Sequence, residues 1–540
     1  MRGRAFRGPV LLFAGLTMTV GAAGGQDIEM AAQAVGRALP PGYFERVQQQ
    51  PDFFRIKGGW IARTARAVEA GEELSGTLPV AVILALFADS PEPHVTSAAV
   101  QGALFDGPSP YGTVTEYYDE VSGGRLQVTG QSFPWVRTSF TMDEVVGDSY
   151  GLGEDVQTGP FLLEAVAAAD SMIDFGLFDN DGPDGIPNSG DDDGQVDAVA
   201  IQFLEVAASC GGPSIWPHRS RLRYWNDDTP FVSNDPGANG SPILVNDYTT
   251  QGATDCGGQE VQKATTIAHE LGHVLGLPDL YDRSQGLAPE DRRWVVGCWS
   301  LMAAGSWGCG TSNRVAWVRP THLGAWEKER LGWLSGIEEV GIGLDHVFTL
   351  EPVRASEQVL KIPLQRDVPA DSAEYLLIEY RTREGFDADI PASGVLVYHV
   401  SPRIGGNQPC DTCPQVYRVG LLEADGNNSL RLNFLQGGNR GEPGDAWGVS
   451  GPGRLTNSTH PSTRLNSGAP SAVTIYEVSV DGGAAHLTLS SGIVATSRLV
   501  QSFLGTSAVP LTSQEEEYLD SHGNWNGQYD VGDLRAYLRR

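Results

Sequence analysis

The stretch Thr265-Thr-Ile-Ala-His-Glu-Leu-Gly-His-Val-Leu-Gly-Leu-Pro-Asp-Leu-Tyr-Asp282 decides how this chain is read. Ile267, Leu271, Val274 and Leu275 recur at helical spacing, so a helix is expected from Ala264 to Leu275. His269 and His273 are four residues apart and project from one face of that helix. Two imidazoles so placed can hold one zinc ion with Glu270 beside them. A catalytic zinc takes three protein ligands and leaves a position for water. Gly276 can adopt the positive φ that turns the chain back, which makes Asp279 the expected third ligand, with Asp282 or a more distant carboxylate as its competitor. In such a site zinc acidifies water and polarises a carbonyl, while Glu270 acts as base and then as acid. The opposing reading is an ordinary amphipathic helix, but the glycine and the aspartate at this spacing favour the metal.

Ser300-Leu-Met-Ala-Ala-Gly305 follows downstream, in the order in which metzincin proteases place a methionine-bearing turn beneath the zinc ligands. Met302 is expected to support the site without binding metal. Together these segments resemble the immune inhibitor A family of secreted bacterial metalloendopeptidases. Weaker stretches agree, among them Thr115 to Leu126, Asp174 to Asp197, Ile215-Trp-Pro-His218, His322 to Trp333, and Tyr375 to Tyr380 with Gly394 to His399. The resemblance covers roughly Leu78 to Leu489 and departs from the common metzincin pattern in carrying Asp279 where a third histidine is usual. It implies a zincin-type catalytic domain acting on protein or peptide substrates.

The start of the chain reads as an export signal. Met1-Arg-Gly-Arg-Ala-Phe-Arg7 is basic, Pro9 to Val20 is apolar, and Gly21-Ala-Ala-Gly-Gly25 is small, so residues 1–25 are expected to be a signal peptide, too short to remain as a membrane span. The expected location is secreted or extracellular, with the periplasm or cell surface as variants. Acidic residues number 67 against 37 basic, a formal charge of −30 that disfavours nucleic acid and anionic membranes and leaves carboxylates for calcium. Six cysteines in an exported chain imply disulfides, and sequence proximity suggests 210–256, 298–309 and 410–413 among fifteen possible pairings.

The expected fold class is α+β, in several parts. Residues 26–77 are helix-prone and read as a propeptide, which would make the chain a zymogen, or as a helical extension that stays attached. Residues 78–336 form the zincin/metzincin-like catalytic domain. Residues 337–492 alternate as strands and suggest a β-sandwich-like accessory domain. Residues 493–540 carry a linker and a short EF-hand-like segment that resembles half of a dockerin, a docking module; a surface partner for it is the corresponding expectation. Two acidic segments are calcium candidates. Asp179, Asp181, Asp184, Asp193 and Asp197 lie in a glycine-punctuated loop, and Asn524, Asn526, Asp530 and Asp533 follow EF-hand spacing from His522 at the first position. His218, His322 and Tyr281 are possible pocket residues, though a lone histidine is more often structural. The function expected is zinc-dependent peptide-bond hydrolysis. Its rival is a secreted binding or adhesion protein on a zincin scaffold, against which the retained Glu270 argues.

Overall fold

The computed structural model describes residues 41–540 except 51, 283–292, 310–318, 341–345, 366–367, 370–371, 408–415, 450–452, 491–495, 508–509, 522 and 538–540. The expected signal peptide, the proposed 410–413 disulfide and His522 therefore lie outside the described residues. Helices α1 (Pro41–Gln49) and α2 (Gly59–Ala70) open the described chain. They are not a loose appendage. Trp60 is fully buried in the same apolar core as Ile267 and Leu271, Lys57 N–H donates to Asp247 Oδ2 at 2.8 Å, and Arg63 donates to the Gly182 carbonyl at 2.8 Å.

The central sheet explains the apolar run at Leu78. Strand β1 (Gly76–Leu86) lies beside β2 (Leu126–Ser132), β3 (Val136–Arg137) and β4 (Val199–Phe203), all parallel to it. Strand β5 (His218–Arg221) is the antiparallel edge, and β6 (Phe231–Pro236) and β7 (Pro242–Val245) form a separate hairpin. With β8 (Asp247–Gly252) the order is β2-β1-β4-β8-β5. Side chains alternate across a strand, so a strand buried on both faces must be apolar throughout. Val80, Val82 and Leu84 of β1 enter one core, and Ala81, Ile83 and Ala85 enter another.

Helices cover both faces. Helix α3 (Val114–Ser122) starts with a capping box in which Thr113 and Glu116 satisfy each other's backbone N–H groups. Helix α4 (Thr158–Ala169) buries Phe161, Leu162, Ala165 and Val166 on one face of the sheet, while α3 and α5 (Ala264–Val274) pack on the other. The Tyr118 hydroxyl of α3 donates to the Ala268 carbonyl of α5 at 2.6 Å. Two of the expected disulfides are formed, Cys210–Cys256 and Cys298–Cys309, with Cα separations of 5.1 and 5.2 Å.

After helix α6 (Ala325–Leu331) the chain turns to strands: β9 (Gly336–Glu339), β10 (His346–Leu350), β11 (Gln358–Pro363), β12 (Tyr375–Arg381), β13 (Gly394–Val400), β14 (Val419–Leu421), β15 (Thr474–Asp481) and β16 (Ala484–Ser490). They form a five-stranded sheet, β14-β13-β12-β11-β9, and a three-stranded one, β10-β16-β15. Leu376, Ile378, Val395 and Val397 join Leu487 and Leu489 in a core shared by the two sheets. Leu377, Leu396, Tyr398 and Val400, alternating with them, belong to the core that holds Met302 and α5. The five-stranded sheet is thus part of the packing around α5. Farther on, α7 (Ser513–Ser521) and α8 (Val531–Tyr537) share a small core of Leu499, Leu511, Tyr518, Leu519 and Tyr537.

Because Trp60 ties residues 41–70 into the main core, Trp60→Ala is expected to cost about 3–5 kcal/mol in urea unfolding. A loss under about 1 kcal/mol, the range of ordinary surface substitutions, would show that the segment is peripheral.

Candidate metal centre

Helix α5 sets His269 and His273 on one face, and the chain then reverses at Gly276, whose φ is +88°. The reversal returns Asp279. His269 Nε2 and His273 Nε2 are 3.1 Å apart, and Asp279 Oδ1 lies 3.2 Å from the first and 3.4 Å from the second. Ligands around a tetrahedral zinc at about 2.0–2.1 Å stand about 3.3 Å from one another. The three donor atoms therefore fit that ion without rearrangement. Each imidazole is aimed by a carbonyl, His269 Nδ1 by Leu301 O at 3.0 Å and His273 Nδ1 by Leu277 O at 2.7 Å. A carbonyl only accepts, so Nδ1 carries the proton in both rings and Nε2 presents its lone pair to the centre.

Met302 is fully buried under this helix. A Cβ on Gly272, the residue preceding His273, would stand 2.5 Å from Met302 Sδ. The glycine in His-Glu-Leu-Gly-His is thus the place where the turn touches the helix. Cys298–Cys309 closes the segment that carries Met302, and Ser300 Oγ accepts from Met302 N–H at 3.0 Å.

Glu270 is buried beside the triangle, and one atom from each of His269, Glu270 and His273 lies within 4.8 Å of the others. Its Oε2 accepts no hydrogen bond among the described residues and faces Arg219 Nη1 at 3.7 Å; Arg219 Nη2 is 4.0 Å from Asp279 Oδ2. Sequence reasoning missed Arg219, because it lies on edge strand β5, remote in sequence, and only the fold aims it at the centre. Burial and the Arg219 charge lower the His273 pKa. Burial opposes charge on His269 too, yet the Asp279 carboxylate 3.2 Å away and the Glu270 charge outweigh that and raise it. Burial likewise works against the Asp279 carboxylate, but the neighbouring His273, His269 and Arg219 hold its pKa well below the usual range.

Other candidates are placed elsewhere. Asp282 is fully buried, accepts from the Tyr417 hydroxyl at 2.9 Å and pairs with Arg293, so it is committed away from the centre. His218 is held between the Trp216 carbonyl and the Tyr248 hydroxyl, and burial pushes its pKa down to about 4. His322 bridges Glu120 and Lys328 in a buried network. Tyr281 does line the cleft, with Trp294 against it at 5.7 Å between ring centres.

The acidic loop brings together Asp179, Asp181 and Asp197, each with an oxygen within 4.8 Å of the others. Asp179 Oδ1 is buried without a hydrogen-bond partner among the described residues. Burial, then the charges of Asp192 and Asp193, pushes the Asp179 carboxyl up to about 7, and burial pushes Asp193 up to about 6. Asp193 stands alongside, its N–H donating to Asp181 Oδ1 at 3.0 Å. Asp184 is outside the cluster; its carboxylate accepts from Ile186 N–H on the surface. In the C-terminal loop, Asn524 and Asn526 both donate to Asp530, and Asp533 accepts from the backbone of Asn524 and Asp530.

The cleft above the centre is walled by Tyr43, Phe54, Trp216, Trp294 and Trp307, with Arg219 and edge strand β5 along it. Among the described residues no helix is long and apolar enough to cross a membrane. Residues 101–334 match the immune inhibitor A peptidase M6 catalytic domain. The pre-pro-metalloprotease PrtV of Vibrio cholerae is 30% identical over 229 residues, which cover 41% of this chain and 23% of that protein. Immune inhibitor A of Bacillus thuringiensis is 30% identical over 250 residues, 42% of this chain and 32% of its own. The alignments thus span a quarter to a third of the curated relatives' length.

Close contact at Gly272 generates a test. Gly272→Ala is expected to lower stability by about 1–3 kcal/mol through overpacking against Met302. Met302→Ala should then cost less in the Gly272→Ala background than alone. Additive losses in thermal unfolding would show that the two residues are not in contact.

Proposed function

We propose that this chain, whose residues 101–334 match the immune inhibitor A peptidase M6 catalytic domain, is a secreted zinc metalloendopeptidase. The observation that carries this reading is the triangle of His269 Nε2, His273 Nε2 and Asp279 Oδ1, with edges of 3.1 to 3.4 Å, beside a Glu270 carboxylate oxygen that accepts no hydrogen bond among the described residues. His269, His273 and Asp279 hold the metal. Zinc bound there supplies a Lewis acid that acidifies water and polarises the scissile carbonyl. Glu270 takes the proton from the attacking water and returns it to the leaving amine. Arg219 balances the two carboxylates and keeps them apart in the buried site, and Met302 supports the helix that presents the histidines.

Substrate lies extended along β5, where an edge strand offers unpaired main-chain groups and tolerates varied sequences. The aromatic wall supplies apolar contact. Export is supported by the basic-apolar-small start of the sequence and by two formed disulfides, which persist in oxidising compartments. A propeptide within residues 26–77 would end before the stretch that Trp60 anchors, so residues 57–77 stay with the mature catalytic domain in this reading. The strands after residue 336 form the β-sandwich-like part of a metzincin-like enzyme, supported by the core common to both sheets. Calcium is assigned to Asp179, Asp181 and Asp197, with Asp193 alongside; the buried Asp179 oxygen, which has no hydrogen-bond partner among the described residues, supports this. The EF-hand-like loop of Asn524, Asn526, Asp530 and Asp533 is a second calcium and docking candidate, supported by the EF-hand spacing of these residues.

The test compares wild type with Glu270→Ala and Asp279→Ala on an unfolded protein substrate, with zinc measured in each. Glu270→Ala is expected to retain zinc and lose about 10²–10⁴-fold in kcat/KM. Asp279→Ala is expected to lose zinc. Zinc-loaded wild type that cleaves nothing would sink the enzymatic reading. Removing calcium while zinc is supplied should lower the unfolding midpoint, and Asp181→Asn should remove part of that response; an unchanged response would overturn the assignment to the 179–197 loop.

A further inference from the structure

A third group of carboxylates lies far from the acidic loop in sequence, and no motif points to it. Glu423 and Asp425 follow strand β14, and Asp445 ends a short turn at Pro443–Asp445. One oxygen from each lies within 4.8 Å of the others. Calcium binds oxygen at about 2.4 Å, so two ligands on opposite sides of one ion stand about 4.8 Å apart and adjacent ones stand closer. The whole set can therefore share a single ion. Glu423 and Asp445 are fully buried, whereas Asp425 opens to solvent and gives an entry path.

Hydrogen bonds do not exhaust this cluster. Asp445 Oδ2 accepts from Trp299 Nε1 and from Glu442 N–H, both at 2.9 Å. Asp445 Oδ1 is buried without a hydrogen-bond partner among the described residues, although its side chain is fully enclosed. Burial, only partly offset by the Trp299 hydrogen bond, pushes the Asp445 carboxyl up to about 7, and Glu423 and Glu442 add repulsion. The backbone approaches as closely as glycine allows: a Cβ on Gly444 would stand inside the Asp425 carboxylate. Asn427 holds Asp425 in place through its N–H and side-chain amide at 3.1 and 3.0 Å. An uncompensated carboxylate in such a site is costly, and a hard cation with oxygen ligands is what relieves it.

We propose that Glu423, Asp425 and Asp445 bind one divalent cation of the calcium class, which fastens the 423–445 loop to the segment that carries Met302. The fastening runs through named contacts. Trp299, bonded to Asp445, directly precedes Ser300, whose hydroxyl accepts from Met302 N–H. Cys298 N–H donates to the Arg440 carbonyl at 2.6 Å, and the Leu301 carbonyl orients His269. The cation thus secures the segment that supports the proposed zinc site. The site itself depends on neither the zinc nor the peptidase reading, because its readout is calcium.

The test uses the full-length, zinc-loaded protein, dialysed free of calcium with zinc supplied and titrated with calcium chloride. Bound calcium is counted for wild type, Asp425→Asn, Asp445→Asn and Asp181→Asn, the last altering only the other acidic loop. Wild type is expected to bind one equivalent more than Asp425→Asn or Asp445→Asn, or to hold that equivalent about tenfold or more tightly, because affinity follows ligand charge. In the Asp181→Asn background calcium should still raise the unfolding midpoint, and adding Asp425→Asn should shrink that rise. Asp425 is exposed, so its variant is expected to fold even where Asp445→Asn does not. Equal stoichiometry and affinity in wild type and Asp425→Asn would overturn the proposal, leaving a cluster that shares a proton instead.

Discussion

Everything near the cleft depends on holding three potential donor atoms, from His269, His273 and Asp279, at mutual distances of 3.1 to 3.4 Å. Side chains do not hold such a triangle by themselves. Two backbone carbonyls, from Leu277 and Leu301, fix the rings, and each comes from a segment with its own anchor. Leu277 follows the reversal at Gly276, and its N–H returns to the Gly272 carbonyl at 3.0 Å. Leu301 lies in the turn closed by Cys298–Cys309 and packed by Met302 against Gly272. Orientation by such outer contacts is commonly as important as the ligands themselves.

That constraint spreads outward through packing. The turn under α5 needs a floor, and the five-stranded sheet supplies it, with Leu377, Leu396 and Tyr398 in the core that holds Met302. Roofing comes from β1 and its parallel neighbours, buried on both faces between α4 on one side and α3 with α5 on the other. Trp60 extends the same core to the N-terminal segment. Close-packed interiors transmit small displacements, which is why a methyl group at Gly272 bears on the geometry of the centre.

Charge is the second organising theme. The chain carries 67 acidic residues, yet the informative ones are few and buried. Asp279 is held ionised by histidines and Arg219, whereas Asp179, Asp197 and Asp445 are pushed toward the neutral form by burial. Desolvation acts on all of them, and what differs is the counter-charge each meets. At the first centre the histidines and Arg219 outweigh burial, whereas at Asp179, Asp197 and Asp445 burial prevails.

Local pattern was enough for part of this. His269, Glu270, His273, Gly276 and Asp279 are legible because a helix of known pitch followed by a glycine turn makes their relation a matter of short-range geometry. Cys210–Cys256 and Cys298–Cys309 were within reach from proximity alone. Arg219, by contrast, has no signature, since an arginine on a short edge strand looks like any surface cation until the sheet order places β5 beside α5. Asp184 looked equivalent to Asp181, and only the path of the loop turned it outward. Glu423, Asp425 and Asp445 are ordinary carboxylates in a glycine-rich stretch. The sequence by itself determined what neighbouring residues do to one another along a helix, strand or turn. Only the tertiary structure decided which distant charges share a buried site, because burial and counter-charge arise from segments that meet through space and leave no local pattern.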